Sequence, residues 1–105
     1  MAKQRTVFEE IKYLKGRIAR TERACRELEA RLPEAQKHFD EVAHFENSED
    51  REERKAFIYA SFDLACIKSD LAKKRTDIIF DTDNLEKLLK LKAEVEAEFQ
   101  ASQPE

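Results

Sequence analysis

Along the first half of the chain, apolar residues recur in steps of four and three. Val7, Ile11, Leu14, Ile18, Thr21, Cys25, Leu28, Leu32, Ala35, Phe39 and Val42 hold that register without a slip, Thr21 being the one hydroxyl among them. A stripe with this period is the seam of a long helix lying along another helix. Thr6-Val7-Phe8-Glu9 supplies the start: a Thr hydroxyl placed to accept the Glu9 amide, with Glu three residues on. Pro33 falls inside the stripe, yet Leu32, Ala35, Phe39 and Val42 stay in phase across it. The pattern therefore predicts one helix over about 7–45, kinked at Pro33, rather than two helices joined by a turn. Gly16 is a second soft point, costing about 1 kcal/mol relative to Ala.

The chain is predicted to turn at Phe45-Glu46-Asn47-Ser48, with Asn47 or Ser48 capping a second helix over about 49–80. Phe57, Ala60, Leu64, Ile67, Leu71 and Ile78 give that helix a heptad seam of its own. Ile58, Phe62, Ala65, Ala72, Ile79 and Phe80 widen its apolar face to roughly 220° of arc, taking about 100° per residue. One seam has one partner; a face of double width needs two. Asp81-Thr82-Asp83-Asn84 then places four poor helix formers in a row and reads as a boundary. Beyond it, Leu85, Leu88, Leu89, Leu91, Val95 and Phe99 predict a C-terminal helix over about 84–100, packed on the second helix or extending it. Residues 78, 85 and 88 keep the heptad phase, which supports extension. The ends, 1–5 and 101–105, are expected to fray.

The expected fold is all-α: a long antiparallel, coiled-coil-like hairpin with a C-terminal helix, one helical domain over 1–105 that forms a helical bundle on dimerisation. Composition agrees. The chain has one Gly, two Pro and no Trp in 105 residues, and 41% of it is charged. Sheet folds need more turn formers than this. The core can only be one or two side chains thick, so a long seam or a second copy must supply stability.

The net charge of −3 names no partner, but its distribution is uneven. Residues 1–31 carry a net +4, 32–53 a net −6, 54–75 a net +4 and 76–105 a net −5. Blocks of alternating sign suit antiparallel packing, with basic beside acidic. The longest apolar run, Ala56 to Ala60, falls far short of the roughly twenty residues of a membrane span. Glu9 and Glu10 interrupt the basic start before any signal-like apolar segment. Two cysteines without a secretory signal point to a reducing, cytoplasmic setting.

Candidate chemistry is sparse. Glu41-Val42-Ala43-His44 matches the E-x-x-H pattern of di-iron bundles, with Glu34 and His38 one turn earlier. With Phe39 and Val42 on the seam, these side chains face outward, so no metal or other cofactor is expected. Cys25 on the seam and Cys66 on the flank of the second helix lie at similar heights in a hairpin. A small buried hydrophobe is the commoner role for such a cysteine than a bridge. Arg17, Arg20, Arg23 and Arg26 would lie near Lys73, Lys74 and Arg75, a belt able to meet nucleic-acid phosphates. No aromatic residues interleave with it. Glu46, Glu49, Asp50, Glu52 and Glu53 form an acidic tip, either a charge cluster at a helix N-terminus or a mimic of nucleic-acid phosphates. No Gly-rich phosphate loop, Ser/His/Asp set or paired carboxylates in a cleft can be assembled.

Phe57, Ile58, Tyr59, Phe62 and Phe80 carry the strongest signal. Among them Tyr59, Phe62 and Phe80 are large aromatics outside the seam and call for another surface to cover them. The C-terminal helix, a second copy or another protein would serve. The sequence thus predicts a non-enzymatic protein-interaction module: an adaptor, an assembly factor or an inhibitor, including the phage type, of a larger complex. Its expected partners are itself, as a homodimer, and another protein. A nucleic-acid-associated regulator is the alternative, and a di-metal oxidase formed on dimerisation the most distant one.

Overall fold

The computed structural model describes residues 6–102. It contains α1 over Val7–Val42 and α2 over Arg51–Ser102, joined by a single 3-10 turn at Ala43–Phe45 and a short loop. Helix makes up 94% of the structure, with no strand among the described residues. The two helices pack against each other as an antiparallel hairpin.

Each boundary has a local cause. The Thr6 hydroxyl accepts the Glu9 amide at 3.2 Å, so the predicted start of α1 is formed. At the other end the α-helical winding stops at Val42, and residues 43–45 tighten into a 3-10 turn, a common way to finish a helix. α2 begins at Arg51 rather than near 49. Ser48 Oγ accepts the Asp50 amide at 3.1 Å, and Asp50 Oδ1 accepts the Glu52 amide at 3.0 Å. Asp50 is therefore the residue whose side chain caps α2, and Ser48 presents it. α1 runs unbroken through Pro33, which lies on the exposed side.

The boundary expected at Asp81–Asn84 does not form. α2 passes straight through it and includes 84–100 and also Ala101 and Ser102, where fraying was expected; residues 1–5 and 103–105 lie outside the described residues. Asp81 is a seam residue, in phase with Ile78, Leu85 and Leu88, and is only 3% exposed. Its carboxylate is held by Arg17 of α1 instead of capping a new helix. Asp83 is paired with Lys87 one turn on, at 3.0 Å. At Asp81 weak local propensity is outweighed by a partner that only the folded hairpin provides.

Packing groups the described residues into two units. In the unit of residues 22–75, Cys25, Leu28, Ala35 and Val42 of α1 are buried with Ala60, Leu64, Ile67 and Leu71 of α2. Phe39 and Phe57 meet across the helices with ring centroids 5.8 Å apart. Arg75 reaches Glu29 at 3.2 Å, and Arg31 stands 3.9 Å from Asp63, both at the surface. In the unit of residues 6–21 with 76–102, Ile11, Leu14 and Asp81 are buried, and Ile18, Ile78, Leu85 and Leu88 are half-buried. Lys92 lies over the Phe8 ring at 5.6 Å.

Candidate functional site

α2 turns one apolar face inward and leaves another in water. Ile58, Tyr59, Phe62, Ile79 and Phe80 are each between 59% and 71% exposed. Phe57 parts from this group: it is half-buried against Phe39 and belongs to the core of its unit. The exposed residues follow from register. Ala60, Leu64, Ile67 and Leu71 occupy the seam with α1, and at about 100° per residue positions 58 and 62 fall nearly opposite it. Because residues 84–100 continue α2, they form no third helix that could fold back over this face. Beside Ile58 and Tyr59, Arg51, Arg54 and Lys55 line a shallow hollow, with Lys55 Nζ 5.7 Å from the Tyr59 ring.

The acidic tip is partly used by the fold. Asp50 caps α2, and Glu53, half-buried, accepts the Ser48 hydroxyl at 3.1 Å. Glu46, Glu49 and Glu52 are exposed. Arg54 donates to the Ser48 carbonyl at 2.9 Å, so a cation is folded into the tip itself.

The basic residues are divided. Arg17 grips Asp81 with both ends of its guanidinium, Nε to Oδ2 at 2.8 Å and Nη2 to Oδ1. It also lies over the Tyr13 ring at 5.5 Å. Its hydrogen bond holds the Asp81 carboxyl below the usual carboxylate range, against the opposing effect of burial. Arg75 is engaged by Glu29. Lys74 is half-buried, and Arg20, Arg23, Arg26 and Lys73 are exposed. The Arg17–Asp81 pair is the arrangement that the sequence reading missed. The only signal for it was that 78, 81, 85 and 88 continue one heptad phase.

Glu34, His38, Glu41 and His44 are all exposed, and the His44 ring rests on Phe45 with centroids 4.1 Å apart. Among the described residues no three His, Cys, Asp or Glu side chains come together as a metal-binding group. Cys25 is buried and Cys66 exposed, both as free thiols. Among the described residues, no helix is long and apolar enough to cross a membrane. Comparison with protein-family models, with curated proteins and with solved structures finds no match to this chain.

Proposed function

We propose that this chain is a non-enzymatic protein-interaction module, an adaptor, assembly factor or inhibitor of a larger complex, that binds through the outward face of α2. The observation that carries this reading is the exposure of Ile58, Tyr59, Phe62, Ile79 and Phe80. Single exposed apolar residues are ordinary, but Ile58, Tyr59 and Phe62, close together on one helix, mark a surface made to be covered. Aromatic residues near the centre of an apolar patch are also the type that dominates binding energy at interfaces. The free thiols support a reducing, cytoplasmic setting.

The test is site-specific photocrosslinking. A photoreactive phenylalanine analogue at position 62 or 80 should give discrete protein adducts in host extract. The same analogue at Lys37, exposed on α1, should give none. Equal, diffuse labelling from both faces would remove the basis for the module.

A further inference from the structure

We infer that the outward face of α2 between Arg51 and Ser69 takes an acidic amphipathic segment of another protein, its carboxylates over Arg51, Arg54 and Lys55 and a large apolar side chain over Ile58 and Phe62. This rests on the interaction-module reading and names the chemistry of the partner. The whole strip lies within the unit of residues 22–75. Residues 51, 54, 55, 58 and 59 are related by steps of three and four, so one side of one helix carries them all. Together they line the shallow hollow beside Tyr59. Its volume of about 350 Å³ is at the bottom of the range for small-molecule pockets and fits the side chains of a segment laid along the helix.

Charge selects the occupant. The chain as a whole has more acid than base, 23 Asp and Glu against 20 Lys and Arg, yet this strip holds three cations and no carboxylate. Among the described residues none of the three is ion-paired. Arg54 donates to the Ser48 carbonyl at 2.9 Å, and Lys55 lies 5.7 Å from the Tyr59 ring. Both contacts hold a cation in place without cancelling its charge. Carboxylates brought to this end meet cations already positioned. By the same steps Ile58 leads to Phe62, Ala65 and Ser69, none of them charged. Ile58 and Phe62 are 59% and 70% exposed. Surface ion pairs alone are weak, so affinity must come from covering these two, while the cations decide which segment does it.

The width of the strip favours a segment over a flat surface. Glu52 and Asp63 border it beside Tyr59, and Glu46 and Glu49 stand at the adjoining tip, all four exposed. An anionic bilayer would press against these carboxylates as well as the cations. A single helix or strand laid along the strip would not. Arg51 and Ile58 are seven residues apart, about 10 Å along α2. The carboxylates of the partner and its apolar anchor are therefore separated by about 10 Å, two turns if the segment is helical.

Peptide selection tests the chemistry. Random peptides of about 16 residues, roughly 24 Å long as helix, are displayed on phage and panned against the full chain. The enriched sequences should combine several carboxylates with a large apolar residue about two turns away. A synthetic copy of an enriched peptide should bind about ten-fold more weakly, or worse, to the double variant Arg51→Glu with Lys55→Glu, where attraction becomes repulsion. It should not bind Phe62→Ser measurably. Both variants should keep the helical circular dichroism of the parent, since the three side chains are exposed and added glutamates suit the first turns of α2. Failure to enrich, enriched peptides without carboxylates, or equal affinity for the charge variant would overturn the proposal. So would sedimentation of the chain with phosphatidylserine-containing vesicles but not with phosphatidylcholine alone, which would make the occupant a membrane. The photoreactive analogue at position 62 separates this proposal from the reading beneath it. Adducts in host extract that persist in the charge variant would overturn the acidic partner and leave the module standing. Absence of adducts in the parent as well would remove the module itself.

Discussion

Asp81 is the residue at which the chain departs most from a plain apolar seam. A carboxyl group that is 3% exposed stays ionised only if a cation pairs with it, and Arg17 supplies that cation. Since the pairing lowers the folded-state pKa, its contribution is complete above the unfolded value of about 3.9 and is lost as pH falls through the folded value. Raising the pH from neutrality leaves it intact. Asp81→Asn should therefore have a lower urea midpoint than the parent at pH 7, with the gap closing below about pH 4 as the parent's own carboxylate is protonated. A gap that stays constant down to pH 2 would mean that the ion pair adds nothing beyond a neutral hydrogen bond. Gly16 makes the opposite case. A Cβ there would meet only Arg20 Nη1, at 3.3 Å, the far end of a flexible side chain. Gly16→Ala should stabilise the hairpin by about 1 kcal/mol in urea titration, because mid-helix glycine sacrifices backbone entropy for nothing.

At the scale of elements, the stripe from Val7 to Val42 was legible because its cause is local and periodic. The same stripe carried the correct expectation that Pro33 does not end α1. Asp81–Asn84 misled for the complementary reason. Propensity is counted among neighbours, whereas the partner that holds Asp81 in the helix lies 64 residues away. The outward face of α2 was visible as excess apolar width, but its composition was not wholly so. Phe57 counted towards it until the structure placed its ring against Phe39. The start of α2 was displaced because Asn47, Ser48 and Asp50 are all good capping types, and only the fold shows which oxygen meets which amide. From that geometry Asp50→Ala should cost about 1 kcal/mol, while Asn47→Ala should leave the urea midpoint nearly unchanged. A larger loss at Asn47 would reassign the cap.

For the whole molecule, the decisive contrast is between a protein-binding face and a phosphate-binding belt. Nucleic-acid affinity comes chiefly from cations that neutralise phosphates, at about −0.9 in log–log salt slope per contact on duplex DNA. A belt with five to seven free cations would give a slope of roughly −4 to −6. The fold reduces that supply. Arg17 is committed to Asp81, Arg75 to Glu29, and Lys74 is half-buried, which leaves Arg20, Arg23, Arg26 and Lys73 as the exposed remainder of the belt. Four contacts correspond to a slope of roughly −3.6, and the acidic blocks 32–53 and 76–105 that follow the basic blocks oppose even these. The chain should therefore give no gel shift with duplex DNA at micromolar protein in about 150 mM salt, whereas Phe62→Glu should abolish the protein adducts formed by the photoreactive analogue at position 80. A tight, salt-sensitive shift lost in the double variant Arg20→Glu with Lys74→Glu would reverse the assignment. It would show that the exposed cations outweigh their acidic surroundings and that the apolar face of α2 serves only to assemble a nucleic-acid-binding protein.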